Sequence, residues 1–228
     1  MNLAQMLDTA RLAAQHVMRP APPLPPPVPL PVAPLRTLDG KRELFKPEMF
    51  FAAVKAITGP LNQIQVDTIN GLLAGASHWS VAWLAYGLAT AWHEARLKPI
   101  PEIGKGRGRY YGKPGKHFGQ VPYGRGLVQL THDTNFEWAD AALGLNGSLL
   151  RNFDRALEPA IASRILVLGM ETGAFTGKAL RHYLSGEVGT FEQFRQARRI
   201  INGTDRDKLI AGYAEKFQAA LLAGKWED

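Results

Sequence analysis

Residues 88–136 read LATAWHEARLKPIPEIGKGRGRYYGKPGKHFGQVPYGRGLVQLTHDTNF. The stretch begins in an apolar helical pattern and continues into a loop rich in glycine, arginine and aromatic residues. Eight Lys or Arg residues occur between positions 96 and 132, whereas Glu94 and Glu102 are the only carboxylates from Glu94 to His132. Two isolated acids in a basic, aromatic, glycine-rich segment predict a polysaccharide cleft with a general acid and a general base.

The helix that leads into this stretch, residues 80–95, is apolar almost all round, which predicts a buried helix with Ser80 as its N-cap. Glu94 lies at its C-terminus, where the partial negative charge of the helix end disfavours a carboxylate. This field and the apolar neighbour Trp92 predict a raised pKa for Glu94, as a general acid requires. The alternative is a surface glutamate that closes the helix. No zinc-protease motif is present, because the position of the second histidine is Leu97.

Glu102 follows Glu94 by eight residues, after two prolines that favour extended backbone. Such a segment can cross a cleft. Nearby cations should keep Glu102 ionised, which suits a general base that activates water, although a loop carboxylate in an ion pair is an equal alternative. These cations are Lys98, Lys105, Arg107 and Arg109.

The segment YGRGLVQLT, residues 123–131, predicts a binding loop followed by a short strand. Its two glycines allow close approach of a ligand, and Arg125 can fix the loop through a carboxylate. Alternation after Gly126 predicts a strand that places Gln129 and Thr131 on one face. An amide beside a hydroxyl can bind sugar hydroxyls and N-acetyl groups, or position a water molecule. A purely structural turn and strand is the alternative.

The rest of the chain from residue 41 to residue 228 predicts a mainly helical domain with a small β-hairpin lobe. The short aromatic pieces RYYG (109–112) and VPYG (121–124) favour small strands, because glycine and proline exclude long helices there. Thr176 and Thr190 are expected N-caps. Helical patterns cover residues 47–57, 61–74, 80–95, 135–143, 158–175, 178–184, 190–201 and 206–222.

Residues 1–40 differ in composition from the domain. Within residues 1–19, apolar side chains at three- and four-residue spacings predict an amphipathic helix. It could attach to a partner, to a membrane surface or to the chain's own core, and its few cations make the membrane the least favoured. Nine prolines among positions 20–34 predict a proline-rich linker over residues 20–40.

Composition limits the classes of partner. The formal charge of +7 favours a polyanion such as nucleic acid, anionic lipid or peptidoglycan, although it also suits simple solubility. Nucleic acid is disfavoured, because the cations alternate with glycines and polar residues instead of forming one helix face. No stretch reaches the roughly 20 apolar residues of a membrane span, and the N-terminus lacks the pattern of a secretory signal. With no cysteine, disulfides and thiolate chemistry are excluded.

Four segments together resemble the family-19 glycoside hydrolases, chitinase-like enzymes of the lysozyme superfamily, and above all their bacteriophage and prophage endolysin branch. The resemblance covers roughly residues 50–222 in the right order. The segments are WHE (92–94), PIPEIGKGRGRYYGKPG (99–115), YGRGLVQLT with the following Asn135-Phe136, and RRIINGTD (198–205).

The resemblance implies an inverting hydrolase with a bilobal, lysozyme-like α+β fold and neither a metal nor an organic cofactor. It implies that Glu94 is the general acid, Glu102 the general base, and Thr131 the hydroxyl that helps to hold the attacking water. Gln129 would bind substrate. The other residues expected at the cleft are Asn135, Asn202, Arg125 and, as rings that stack on sugars, Tyr111 and Tyr123. Asn202 could also end a helix in the left-handed conformation.

The expected substrate is the β-1,4 glycan of bacterial peptidoglycan, cut by a monomeric enzyme that is made without a signal peptide and reaches the cell wall after release or delivery. Chitin is the alternative substrate, because it shares the linkage and the N-acetyl groups. A lytic transglycosylase would need only Glu94. A virion-associated wall-binding component, tethered to a docking partner through residues 1–40, is the alternative outside enzymes.

Overall fold

The computed structural model describes residues 41–227, so the predicted N-terminal helix and proline-rich linker lie outside the described residues. The prediction of a mainly α fold is confirmed: this part of the chain forms eight α-helices and two small two-stranded sheets. The helices are α1 (Pro47–Thr58), α2 (Gln63–Gly75), α3 (Val81–Ala95), α4 (Asp133–Leu143), α5 (Ser148–Arg151), α6 (Pro159–Thr172), α7 (Phe191–Ala197) and α8 (Asp207–Ala223). The strands are β1 (Glu43–Leu44), β2 (Ile100–Pro101), β3 (Arg125–Gly126) and β4 (Trp226–Glu227).

Helix α3 is the centre of the hydrophobic core. As predicted from its apolar sequence, nearly all of its side chains are buried, and the Ser80 hydroxyl caps it by accepting a hydrogen bond from the Trp83 amide. It packs along α8 on one side and contacts α2 and α6 on another. Left-handed backbone at Arg96 and Leu97 ends the helix, so the chain turns sharply just after Glu94.

The other helices pack on one another around this core: α2 lies against α6, α1 and α7 lie against α8, and α4 contacts α5 and α6. Strands β1 and β4 pair antiparallel, with Leu44 opposite Trp226, which joins the two ends of the described chain. The indole of Trp226 is buried and donates a hydrogen bond to the carbonyl of Trp79. None of the helices in residues 41–227 combines the length and the apolar character that a membrane crossing needs.

Strands β2 and β3 pair antiparallel, with Ile100 opposite Gly126, and residues 102–124 between them form the predicted small lobe. The strands predicted for residues 109–112 and 121–124 are wrong, because those residues lie in turns and loops. The backbone at residues 104–106 and 108 is in the left-handed region, so this segment forms turns and cannot pair as an extended strand. A Cβ on Gly112 would lie 1.8 Å from the carbonyl oxygen of Gly106, so the lobe packs backbone directly on backbone.

Most of the predicted helices are confirmed, with shifts at their ends, but the one at residues 178–184 is wrong. Only a single 3₁₀ turn, Leu180–His182, forms there. Thr190 caps α7 through a capping box, as predicted. Thr176 caps no helix, because its hydroxyl donates to the carbonyl oxygens of residues 199 and 200.

Candidate functional site

Glu102 is buried where β2 runs into the small lobe, and hydrogen bonds fix both its backbone and its carboxylate. Its amide donates to the Gly124 carbonyl at 2.7 Å. The Tyr111 hydroxyl donates to Oε1 at 2.8 Å, and the Gly124 amide donates to Oε2 at 3.1 Å. Burial and the bond to Glu102 raise the pKa of Tyr111, which keeps its hydroxyl protonated as a donor. Each carboxylate oxygen retains lone-pair capacity for a ligand or a water molecule.

The strand predicted after Gly126 is wrong, because residues 127–129 form a turn. Arg125 and Leu130 exchange backbone hydrogen bonds of 3.1 and 2.8 Å, which leaves the residues between them in a tight loop. Gln129 adopts left-handed backbone with φ 54°. Leu127 and Val128 are both buried, whereas a strand with one exposed face would have turned one of them outward.

The turn nevertheless brings Gln129 and Thr131 together, beside Gly124. A Cβ on Gly124 would lie 2.8 Å from Oε1 of Gln129 and 3.2 Å from Oγ1 of Thr131. The Thr131 hydroxyl donates to the Gln129 carbonyl, and Nε2 of Gln129 donates to the Ile100 carbonyl at 3.1 Å. Glu102, Tyr111, Gly124, Gln129 and Thr131 therefore form one group, the Glu102 cluster.

Oε1 of Gln129 is buried and accepts no hydrogen bond from the residues that the structure describes. The bond from Nε2 to Ile100 fixes which way the amide points, so the unpaired oxygen lies beside Gly124. Burying an acceptor without a donor costs free energy, and such a group in a native structure calls for an explanation. A ligand N–H or O–H would supply the donor.

We expect Gly124→Ala to destabilise the protein by about 1–3 kcal/mol, because the added methyl group meets both Gln129 and Thr131. Gly212→Ala is the control: this glycine is inside α8 with open space at its Cβ position, so alanine should stabilise by about 0.5–1 kcal/mol. Urea unfolding measures both. Equal effects of the two substitutions would contradict the close packing at Gly124.

Glu94 is buried at the end of α3 and forms an ion pair with Arg198. Nη1 of Arg198 donates to Oε1 of Glu94 at 2.7 Å, and its Nε donates to the Asp205 carbonyl at 2.9 Å. Arg198 is only 1% exposed and begins the 3₁₀ turn Arg198–Ile200. Its positive charge stabilises the charged carboxylate of Glu94. The helix end and Trp92 were predicted to destabilise that same charged form, so the two effects oppose each other.

Sequence reasoning missed this role of Arg198, although the residue lies in the RRIINGTD segment. Arg198 and Arg199 are chemically identical neighbours, and only burial separates them: Arg198 is in the core, and Arg199 is partly exposed. The signal that could have found it is helical spacing. Arg198 lies four residues after the buried Phe194, and this spacing predicts that both side chains point to the same, buried side. We call Glu94 and Arg198 the Glu94 pair.

His93 precedes Glu94 and is also buried. Burial lowers its pKa to about 4, against the attraction of Glu94. Unfolded protein binds a proton at His93 below about pH 6.5, but folded protein does so only below about pH 4, so this contribution to stability is complete above pH 6.5 and is lost as the pH falls. We expect a loss of about 3 kcal/mol between those limits.

The measurement is the free energy of unfolding in urea between pH 4 and pH 7 for the wild type and His93→Gln. The variant should lose less stability on acidification. His78→Gln is a control of opposite sign, because the hydrogen bond to Glu171 raises the pKa of His78 and so stabilises the folded state at low pH. Parallel curves for wild type and His93→Gln would contradict the prediction.

Arg125 fixes the loop through a carboxylate, as predicted. Its Nε donates to Oδ1 of Asp154 at 2.6 Å, and its Nη1 donates to the carbonyls of Val121 and Tyr123. The guanidinium also lies 3.5 Å from the ring centre of Tyr123. Arg125 is buried, and three of its five N–H donors bond to these protein groups, so it holds the loop in shape. Its predicted contact with substrate stays a prediction.

The two tyrosines that were predicted to stack on sugars are less exposed than such a role requires. Tyr111 and Tyr123 are both buried, and Arg125 covers one face of Tyr123. Tyr110 is 69% exposed and stacks on His132, so it presents an exposed ring beside the buried Tyr111. A cavity of about 350 Å³ lies beside the Glu102 cluster, and its wall includes Tyr110, Tyr111, Lys113, His132, Asp133 and Thr134.

The two predicted asparagines lie in different groups. Asn135 is buried at the start of α4, and its Nδ2 donates to the Thr131 carbonyl at 2.7 Å, which joins it to the Glu102 cluster. Asn202 follows the 3₁₀ turn, and its amide donates to the carbonyl of Arg198 in the Glu94 pair. The residue there with left-handed backbone is Gly203 instead of Asn202. Residues 96–99 link the two groups along the chain.

Within residues 41–227, no group of three or more His, Cys, Asp or Glu side chains is placed to hold a metal ion. A scan against protein-family models found no match, and searches of curated proteins and of solved structures found none either. The chemistry of the Glu102 cluster and the Glu94 pair therefore carries the functional assignment.

Proposed function

We propose that the chain is a glycoside hydrolase that cleaves the β-1,4 glycan strands of bacterial peptidoglycan by an inverting acid/base mechanism, on a bilobal lysozyme-like fold. The observation that carries this proposal is the burial of two glutamates, Glu94 at 8% exposure and Glu102 at 7%, eight residues apart. Glutamate is rarely buried unless it is paired or used. Each of these two is held in a fixed orientation by hydrogen-bond donors: Arg198 bonds to Glu94, and Tyr111 and Gly124 bond to Glu102.

Glu94 would act as the general acid that protonates the glycosidic oxygen. Arg198 donates to Oε1 and so orients the carboxyl group of Glu94. When that proton leaves, the negative charge that develops on Glu94 already has Arg198 beside it, which stabilises the transition state more than the neutral ground state. The C-terminus of α3 and the apolar surroundings work in the other direction, so the carboxylate that Arg198 stabilises in the free protein would take up its proton as substrate covers the site.

Glu102 would act as the general base that takes a proton from the attacking water. Tyr111 and Gly124 orient its carboxylate, and Thr131 lies next to Gly124, where its hydroxyl could also hold that water. The unpaired Oε1 of Gln129 would accept a hydrogen bond from an N-acetyl amide or a hydroxyl of the sugar. These steps need only protein side chains and water.

The charge of the small lobe favours peptidoglycan over chitin. Seven Lys or Arg lie between residues 96 and 116, and several belong to the lobe that holds Glu102. A wall that carries acidic groups would concentrate such a protein at its surface, and added salt would weaken this attraction. Chitin is neutral and offers no such attraction. The site of action would be the cell wall, which the protein reaches after release or delivery.

Product analysis by mass spectrometry tests this function. Purified peptidoglycan treated with the protein should release fragments with free reducing ends. Proton NMR during the digestion should show them first as the α-anomer, because inversion of a β-linkage gives that configuration. Fragments lighter by one water, with 1,6-anhydro ends, would instead identify a lytic transglycosylase. Release from colloidal chitin alone would identify a chitinase, and no release from either polymer would reject the hydrolase and favour a wall-binding component.

A further inference from the structure

The cavity of about 350 Å³ beside the Glu102 cluster lies between the small lobe and the first turn of α4. Its volume is within the range of roughly 300–1,000 Å³ that is usual for pockets that bind small ligands. Tyr111 belongs to its wall and also donates the hydrogen bond to Glu102, so a ligand in this cavity would lie next to the proposed base. We call it the Lys113 cavity, after the lysine in its wall.

Lys113 gives this cavity a positive charge. The residue is exposed, and within residues 41–227 no carboxylate forms an ion pair with it. Lys116, on the same loop, is instead paired with Glu137 at 2.6 Å. An ammonium group has three N–H donors and no acceptor, and its hydrogen bonds to a carboxylate are about twice as strong as those between neutral groups. Lys113 therefore favours a ligand that carries a carboxylate.

Asp133 is the acid in this wall, and the protein itself offsets its charge. Its Oδ2 accepts a hydrogen bond from the amide of Lys116 at 3.4 Å, and its Oδ1 is buried out of reach of a ligand. A Cβ on Gly115 would clash with both oxygens, so the carboxylate packs directly on this backbone. The contact with Glu137 and, after it, the charge of Asp133 raise the pKa of Lys116, so Asp133 already has a cation nearby. The charge that remains for a ligand is that of Lys113.

Tyr110 adds an exposed ring in a fixed position. Its ring centre lies 5.4 Å from that of His132, on which it stacks, and 5.4 Å from that of Tyr111, which it meets edge-on. Pro114 and Pro122, whose φ angles are fixed by their rings, belong to the same wall. A preorganised wall loses little conformational entropy when a ligand binds. A fixed ring beside an ammonium group suits a ligand that has both flat peptide groups and a carboxylate.

Peptidoglycan contains such a ligand, whereas chitin does not. Alternate sugars of peptidoglycan carry a short stem peptide through a lactyl group, and this peptide has free carboxylates. The side groups of chitin are hydroxyl and N-acetyl groups, which are neutral. A neutral sugar hydroxyl would gain little from Lys113, whereas a carboxylate of the peptide would gain a charge-assisted hydrogen bond.

We propose that the Lys113 cavity binds the acidic stem peptide of peptidoglycan, with a carboxylate of the peptide on the ammonium group of Lys113 and its backbone on the ring of Tyr110. The choice of this polymer rests on the proposed function, and the cavity adds a binding site for a part of the substrate outside the sugars that are cut. Because Tyr111 both lines the cavity and orients Glu102, the bound peptide would place its sugar beside the base.

Cleavage kinetics on two matched substrates test the proposal: soluble glycan strands that carry stem peptides, and the same strands after an amidase has removed the peptides. The KM of the full chain should be about three- to fivefold lower for the peptide-bearing strands, the gain that one exposed charge pair can give. Lys113→Met should abolish this preference, and Lys113→Arg should keep it. Lys116→Met is the matched control: its cation is already paired with Glu137, so this variant should also keep the preference.

An NMR titration with a soluble stem peptide measures the same contact without cleavage. The peptide should shift the amide signals of Tyr110, Lys113 and Thr134, and the same peptide with its carboxylates amidated should shift them far less. Such shifts without cleavage of either polymer would reject the hydrolase and keep the peptide site. Cleavage with neither a preference nor shifts would keep the hydrolase and overturn the peptide site. An equal loss of preference in Lys113→Met and Lys116→Met would show only a general attraction to the basic lobe and would also overturn it.

Discussion

Glu94→Gln should lower the rate of peptidoglycan cleavage by about 10²–10⁴-fold, the usual contribution of a general acid. The amide oxygen of glutamine can still accept the hydrogen bond from Arg198, so the local packing should survive. What the variant lacks is the proton that the leaving sugar oxygen needs. The measurement is the release of reducing ends from soluble peptidoglycan fragments at saturating substrate, which reports kcat.

Glu102→Gln is the matched comparison, because it removes the base and keeps the acid. A synthetic substrate with a nitrophenyl leaving group needs little protonation, so it should restore much of the rate in Glu94→Gln but not in Glu102→Gln. Azide attacks without a base, so added azide should restore much of the rate in Glu102→Ala but not in Glu94→Gln. Full activity in Glu94→Gln would contradict the proposed acid, and an active Glu102→Ala that forms anhydro products would replace the hydrolase by a transglycosylase.

The helices were predictable because their signal is local and repeated. Helix α3 is apolar on every side, and its place at the centre of the core follows directly. The short elements were not predictable from the sequence, because the periodicity of four or five residues cannot distinguish a strand from a turn whose side chains are buried in the core. Leu127 and Val128 illustrate this: both are buried in a turn whose closing bonds join Arg125 to Leu130.

The candidate site was predicted from its two acids, which the structure shows to be buried, but the partners of those acids were not predicted. Glu94 and Glu102 are identifiable because they are isolated acids in a basic segment. Their partners depend on tertiary packing: Arg198 reaches Glu94 from 104 residues away, and Gly124 reaches Glu102 from 22 residues away. A local sequence pattern cannot predict contacts between residues that are so far apart along the chain. The same limit applies to Tyr111, whose ring suggested stacking but whose hydroxyl is bonded to Glu102.

The second large effect concerns stability. Arg198→Met should destabilise the protein by about 3–5 kcal/mol at pH 7, because it leaves the carboxylate of Glu94 buried without its guanidinium partner. Arg199→Met is the matched control: this side chain is partly exposed and bonds to Gln196 on its own turn, so its loss should cost less than about 1 kcal/mol. Urea unfolding of the full chain gives both values.

A double-mutant cycle separates the charge from the packing. If the cost of Arg198→Met comes from an unpaired carboxylate, then Glu94→Gln in the same chain should recover most of it, since a neutral amide is far less costly to bury than a charge. If the cost comes from the lost stem of the arginine, the two substitutions should simply add. Additive losses would therefore show that the Glu94 pair contributes volume and not charge. Recovery would show that Arg198 is present to hold a charge in the core, which is the property that the proposed acid needs once it has given up its proton.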